Sequence, residues 1–268
     1  MTAIDGDLKG KVAIVAGGSL GIGRGASIRL ARGDAKVVVA ARRQDAIDDA
    51  VAQIVSEGGD AIGVAGDLSK SSAVRVLIAA TVERFGGIDI VVNSQGIQRY
   101  GTVEETSEEL WDEVIAVNLT SMFLMAKYAI PEMRKRGGGS IVNVSSVQGL
   151  ATQTQVAAYS TSKSGIIGLT RTIAVDYAAE NIRANSVLPA SVDTPMLRHS
   201  ADHFKGEQSV SDVLTDWGRM HPIGRIGTPE EIAELIAFLA GPKSSFITGA
   251  EFKIDGGMMA ALGVQLPE

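Results

Sequence analysis

Apolar side chains along this chain fall into two alternating kinds of run. "KVAIVAG" (11–17), "KVVVAA" (36–41), "AIGVAG" (61–66), "IDIVVN" (88–93), "SIVNVSS" (140–146) and "RANSVLP" (183–189) are short, β-branched and nearly unbroken. Runs without polar alternation predict strands covered on both faces. Between them, apolar positions recur every three or four residues. Ala46, Ile47, Ala50, Val51 and Ile54 share one helical face within 44–57, and Val74, Leu77, Ile78, Thr81, Val82 and Phe85 do so within 70–85. Longer helices are predicted over 107–134 and 157–180, and another begins at Thr228-Pro229-Glu230-Glu231. There a threonine N-cap precedes proline at the first helical position and two early acids. Strands alternating with helices build a doubly wound parallel sheet flanked by helices, through right-handed crossovers. No repeat, low-complexity tract or linker interrupts the chain, so residues 1–268 read as one α/β domain. The segment 195–222 is polar and ambiguous in period, and is expected to be a mobile substrate lid.

Composition narrows the picture. Of 268 residues, 45% are hydrophobic but only 4% aromatic, and 31 are glycine, so the core must be aliphatic with many close contacts. The charge balance, 25 basic against 31 acidic, disfavours nucleic acid, and the longest basic run is only "RKR" at 134–136. The absence of cysteine excludes disulfides, zinc–thiolate sites and thiol nucleophiles. "MTAIDGDLKGK" lacks the apolar core of a signal peptide, and no stretch is read as approaching transmembrane length. A cytoplasmic protein without a membrane partner is expected.

Ligands of a doubly wound sheet sit at the carboxyl ends of its strands. Gly17, Gly21 and Gly23 lie between the first strand and first helix, in "VAIVAGGSLGIGRGASIRLA". Such glycines permit a tight turn and let backbone N–H groups at the helix N-terminus approach a pyrophosphate. The context, strand then loop then helix near the chain start, is that of a Rossmann-type dinucleotide site. An acid closing the second strand would grip the ribose hydroxyls of NAD. This chain instead has Ala41, then Arg42 and Arg43, suited to the 2′-phosphate of NADP. NADP is therefore the expected cofactor, with NAD the alternative. The competing reading makes both arginines solvated charges balanced by Asp45 and Asp48.

The loop spacing G-x-x-x-G-x-G resembles that of the short-chain dehydrogenase/reductase family, with Ala16 where the family has threonine. The resemblance runs over roughly 9–258. "VVNSQG" (91–96) is similar to the family's N-N-A-G, with Asn93 and Gly96 matching and Ser94 and Gln95 departing. Ser146 stands thirteen residues before Tyr159, and Lys163 four after it, which resembles the family's catalytic pattern. Asn118, in "VNLTSM", matches its helix-embedded asparagine, implied to support a water-linked proton relay. "LPASVDTPM" (188–196) is similar to P-G-x-V-x-T, with Pro189, Val192 and Thr194 matching and Ala190 replacing glycine. "ITGAEFKIDGG" (247–257) resembles its last strand. The resemblance implies cofactor contacts from Ser19, Ile22, Asp67, Leu68, Asn93, Tyr159, Lys163 and the 189–194 loop. It also implies a homotetramer, which the apolar tail "MMAALGVQLP" and the alanine-rich long helices suit.

Interconverting an alcohol and a carbonyl moves a hydride and a proton, and the cofactor handles only the hydride. Tyr159 and Lys163 are one helical turn apart and share a face. A nearby ammonium and the cationic oxidised nicotinamide together are expected to favour phenolate and lower the phenol from its ordinary ~10 toward the working range of a general base. Ser146 would hold the substrate oxygen. Each residue alone has an ordinary explanation as cap, core tyrosine or snorkelling lysine; their joint order and spacing favour chemistry. Around them, Gln95, Gln148 and Gln155 are the candidate substrate-binding amides, with Gln98, Arg99, Tyr100, Thr152, Gln153 and Trp217 nearby. Converging amides suit a sugar or polyol. His199 and His203 lack a third ligand, so no metal site is expected. The alternatives are a 3-oxoacyl thioester reductase, for which Arg99 and Arg198 supply a thin basic surface, and a non-catalytic nucleotide-sensing module.

Overall fold

The computed structural model describes residues 7–261. Seven strands form one sheet in the order β3-β2-β1-β4-β5-β6-β7, every pair parallel. They are β1 (Val12–Ala16), β2 (Lys36–Ala41), β3 (Ala61–Ala65), β4 (Ile90–Asn93), β5 (Gly139–Val144), β6 (Ile182–Pro189) and β7 (Glu251–Ile254). Nine α-helices cross between them among the described residues. These are α1 (Gly21–Arg32), α2 (Gln44–Ser56), α3 (Ser71–Phe85), α4 (Glu108–Ile115), α5 (Ser121–Lys135), α6 (Ala157–Asp176), α7 (Pro195–Phe204), α8 (Val210–Arg219) and α9 (Pro229–Ala240).

Alternation along β1 divides the core between the two faces of the sheet. Ala13 and Val15 pack with Leu30 of α1, Ile54 of α2 and Ile236 of α9. Ile14 and Ala16 pack with Leu77 of α3, Met125 of α5 and Ile173 of α6. All five β1 residues are buried, which accounts for the unbroken apolar run. The strand order reverses between β1 and β4, opening a crevice beyond their carboxyl ends.

Local signals set several boundaries as expected. Thr228 caps α9 by accepting from the Glu231 N–H, and Glu231 returns the bond to the Thr228 N–H. The helix expected over 157–180 stops at Asp176 and yields to a short 3-10 turn, Ala178–Glu180, ending on left-handed Asn181.

Three expectations change. The helix expected over 107–134 is two α-helices joined by a π-turn, Ala116–Thr120. Glu108–Lys135 is also long and apolar enough, by length and composition, to cross a membrane, contrary to the sequence reading. Half of its apolar window is buried within the protein, where Met125 and Met133 lie against the sheet, so it is a core helix. The segment 195–222 is largely two helices. Thr194 caps α7 with Pro195 in its first turn, and Ser209 and Asp212 form a capping box on α8. The polar composition concealed amphipathic helices whose apolar faces, with Leu197, Ala201, Val213 and Leu214, pack on each other. In the apolar tail, residues 262–268 lie outside the described residues.

Candidate active site

A cavity of about 650 Å³ opens at the carboxyl ends of β1, β4, β5 and β6 and is roofed by α7 and α8. Its floor at one end is the glycine loop. Gly17 has φ +76°, and a Cβ there would lie 2.6 Å from the Gln95 backbone nitrogen. A Cβ on Gly23 would lie 2.1 Å from the Gly17 carbonyl oxygen, so only glycine lets α1 start against the loop. Gly17, Ser19, Gly21 and Ile22 line the cavity, whereas Gly23 stands behind them. The hydroxyl missing at Ala16 has a local substitute: buried Ser27 on α1 donates to the Gly18 carbonyl at 3.1 Å. The result is a cradle at a helix N-terminus that fits a phosphate-bearing dinucleotide.

Arg42, Arg43, Asp67 and Leu68 line the same end. The two arginines differ. Arg43 is paired with Asp45 at 3.1 Å, and Asp48 accepts from Gln44, so neither acid balances Arg42. No hydrogen bond or ion pair engages the Arg42 side chain among the described residues. The Asp67 carboxylate accepts from the N–H and hydroxyl of Ser69 and does not cap α3, whose N-cap is Lys70.

At the other end, Ser146, Tyr159 and Lys163 are buried and converge on the cavity. Ser146 follows β5 and caps a 3-10 turn, Val147–Gly149, by accepting from the Gln148 N–H at 3.1 Å. That turn is tied to α6: Ser145 donates to the Lys163 carbonyl and Ser164 to the Gly149 carbonyl. Serine and tyrosine are thereby held in one rigid unit. Lys163 Nζ lies 5.4 Å from the centroid of the Tyr159 ring and donates to the Val144 carbonyl at 3.1 Å.

In the protein without its cofactor the lysine by itself does not lower the phenol. Burial pushes the Tyr159 phenol up to about 12, only partly opposed by the nearby Ser146 hydroxyl, and Tyr100 adds a further small push. Burial also lowers Lys163 to about 8. The ammonium is aimed at a carbonyl and the ring, so in the protein alone desolvation outweighs any pull toward phenolate. At neutral pH the phenol holds its proton and the lysine its charge.

Several sequence-predicted residues stand away from the cavity. Asn118 lies in the π-turn with its amide fully occupied: Oδ1 accepts from the Ile97 N–H, while Nδ2 donates to the Ile97 carbonyl and to Ser162 Oγ. It braces the β4 loop against α6 and presents no side-chain atom to a relay. Asn93 is fully buried in the sheet, donating to Asn143, and does not line the cavity. Gln155 is exposed with φ +61°, and its carbonyl accepts from the Gly101 N–H; its side chain does not line the cavity either. Gln95 and Gln148 do, each with a buried amide oxygen lacking a partner.

Pro189, Val192 and Thr194 also line the cavity. Ala190 has no left-handed φ, so replacing glycine there costs no backbone strain. Thr194 already uses its oxygen to accept from the Leu197 N–H. His221 joins this loop to the roof, its Nε2 accepting from the Ser191 N–H and its Nδ1 donating to the Trp217 carbonyl.

Met196, Ser200 and Phe204 of α7 also line the cavity and were missed in the sequence. The signal was there. Thr194-Pro195 repeats the Thr228-Pro229 helix start, and the three residues are spaced by four, hence on one helical face.

The matching family model, described as enoyl-(acyl carrier protein) reductase, covers residues 16–259. The chain belongs to the short-chain dehydrogenase/reductase family, whose oxidoreductases act on CH–OH donors and use nicotinamide dinucleotides. An uncharacterized oxidoreductase of Thermotoga maritima is 39% identical over 254 residues, 95% of this chain and 99% of the relative. The aldohexose dehydrogenase of Thermoplasma acidophilum matches with TM-score 0.88 and 37% identity, covering 98% of this chain and 99% of that one. L-sorbose reductase of Gluconobacter frateurii, solved with NADPH and L-sorbose, matches with TM-score 0.92 and 28% identity over 97% and 100% of the two chains.

Proposed function

We propose that this protein is an NADP-dependent oxidoreductase that interconverts a secondary alcohol or hemiacetal of a sugar or polyol with the corresponding carbonyl. The observation that carries this reading is the convergence of Ser146, Tyr159 and Lys163 on one cavity wall opposite the glycine cradle. When bound, the dinucleotide supplies or accepts the hydride. In carbonyl reduction the neutral Tyr159 phenol gives its proton to the substrate oxygen, which Ser146 holds by a hydrogen bond. In alcohol oxidation the proton moves the other way. Lys163 keeps a positive charge beneath the phenol and has further N–H donors for the ribose hydroxyls. Asn118 is a positioning residue, fixing Ile97 and Ser162 on either side of the site.

Arg42 supports NADP, because among the described residues it is the guanidinium at the adenosine end that no carboxylate bonds, Asp67 feeling its charge only through space. Asp67 and Leu68 would border the adenine, and Pro189, Val192 and Thr194 the nicotinamide, when the dinucleotide is bound. Gln95 and Gln148 support a polyhydroxylated substrate, since their unpartnered amide oxygens accept hydroxyl hydrogens. The similarity to aldohexose dehydrogenase and L-sorbose reductase supports the same class. A carrier-bound thioester finds less support: Arg99 is paired with Glu113 and Arg198 with Asp193, which leaves no free basic surface from these two beside the cleft. The helices α7 and α8 serve as the lid. Exposed Trp111, Phe123 and Val175 on α4, α5 and α6 support packing into a homotetramer, and cysteine-free composition suits the cytoplasm.

The test is a screen of aldoses, polyols, hydroxysteroids and 3-oxoacyl thioesters, following nicotinamide absorbance with NADP and NAD. Turnover of sugars or polyols, lost in Tyr159→Phe, is expected. A strong preference for apolar ketones or thioesters, or an undiminished Tyr159→Phe, overturns the reading.

A further inference from the structure

Tyr100 is the one aromatic side chain of the loop that follows β4, and that loop is anchored at both ends. On one side Gly101 forms an isolated parallel bridge with Val156: its N–H donates to the Gln155 carbonyl at 2.8 Å, and its carbonyl accepts from the Ala157 N–H. The bridge fixes Tyr100 beside the first turn of α6, the turn that carries Tyr159. Gln155 adopts a left-handed backbone to make it, a conformation costly for a non-glycine residue. On the other side the Tyr100 ring stacks on His203 at 4.5 Å and 10°, and meets Phe204 edge-on at 4.7 Å. Both partners belong to the last turn of α7, so the ring joins the floor of the cavity to its roof.

The hydroxyl held there has no partner. Among the described residues it is buried and makes no hydrogen bond of normal geometry; the Ser200 hydroxyl of α7, which itself donates to the Met196 carbonyl, is close enough only to oppose slightly the effect of burial on the phenol. A buried phenolic hydroxyl normally has a partner, and leaving one without a bond destabilises the fold. The aromatic packing accounts for the ring alone; it gives the oxygen nothing to bond. Burial raises the phenol above its ordinary range, so at neutral pH the group is a hydrogen-bond donor as well as an acceptor. The reacting phenol of Tyr159 lines the same cavity.

From this placement we propose that the Tyr100 hydroxyl is a specificity determinant that bonds a second oxygen of the substrate, beyond the carbon that is oxidised or reduced. The substrate class is a polyoxygenated alcohol or carbonyl, and the second oxygen supplies the bond the phenol lacks. This assignment rests on the oxidoreductase reading above. It goes beyond it by naming the side chain that distinguishes a polyol from a simple alcohol.

The experiment compares wild type with Tyr100→Phe, which keeps the stack on His203 and Phe204 and removes only the oxygen. Each is assayed with the best aldose from the screen and with the set of its monodeoxy analogues. In wild type, one deoxy analogue is expected to lose about 10- to 100-fold in kcat/KM through that missing bond. In Tyr100→Phe the parent sugar falls by the same factor, that analogue falls no further, and the other analogues fall in parallel with the parent. A uniform fall for every substrate, the missing-oxygen analogue included, marks a merely structural ring and overturns the assignment. Unchanged kinetics do so too. If wild type turns over no sugar or polyol, the substrate class itself fails and takes this assignment with it. If sugars are turned over and Tyr100→Phe leaves the discrimination intact, only the role of Tyr100 fails.

Discussion

Lys163 Nζ faces the Tyr159 ring at 5.4 Å and bonds to the Val144 carbonyl, with no carboxylate in ion-pair reach among the described residues. A buried, unpaired ammonium costs stability, and the depressed value of about 8 records that cost. Functional side chains held against the interest of folding are expected at an active site.

Replacing this lysine separates the two demands. Between its ordinary 10.5 and about 8, the cost of the buried charge is on the order of 3 kcal/mol near neutral pH. Lys163→Met is expected to raise the stability of the cofactor-free protein while reducing turnover by about 100-fold or more. The sign follows from the depressed value: the folded-state penalty is full below about 8 and vanishes above 10.5. The stability advantage of the variant must therefore shrink as pH rises through that window. Denaturant unfolding of both proteins from pH 7 to 10.5 measures it, and a constant gap would refute the charge argument.

The elevated Tyr159 sets the pH dependence of each direction. With its phenol protonated up to about 12, the protein is in the proton-donating form at neutral pH. Carbonyl reduction should proceed there without a basic limb, whereas alcohol oxidation must first deprotonate the phenol. Oxidation is thus expected to rise with pH across the neutral to alkaline range and to peak at a higher pH than reduction. Profiles of kcat/KM in both directions, in one buffer series, test this. Coincident optima would contradict it.

Cofactor choice is expected to follow Arg42 and not Arg43, because Asp45 already engages Arg43. Arg42→Ala should weaken NADP by about 10- to 100-fold, the range for a lost hydrogen bond to a charged group, and leave NAD nearly unchanged. Arg43→Ala should do much less. Dissociation constants from nicotinamide fluorescence with both cofactors report the difference. Equal effects of the two substitutions would return both arginines to the solvated surface.

Gln155 offers a check on what its side chain does. Its φ of +61° is unfavourable for glutamine and ordinary for glycine, and the contact it makes is through its carbonyl. Gln155→Gly is expected to leave kcat/KM on every substrate within about twofold and to stabilise the protein by about 1 kcal/mol. Thermal unfolding and the substrate panel together decide it. A substrate-dependent loss would restore the amide as a ligand.

What the sequence determined was whatever depends on neighbours along the chain. Unbroken β-branched runs marked six strands, because burial on both faces leaves no polar alternation. Thr228-Pro229 marked a helix start, because capping is satisfied within four residues. Tyr159 and Lys163 fell on one face by the pitch of the helix alone. The same local logic applied to Thr194-Pro195 would have revealed α7 and the cavity face of Met196, Ser200 and Phe204. What only the tertiary structure decided was which polar groups find partners across the fold. Among the described residues, Asn118 is spent on Ile97 and Ser162, Asp45 takes Arg43 and leaves Arg42 without an ion pair, and Tyr100 is clasped by its ring while its oxygen makes no hydrogen bond. The protonation of Tyr159 belongs here too. Spacing put an ammonium near a phenol, but burial and the aim of that ammonium, set by the packing of α6 on β5, determined which way the proton equilibrium moved.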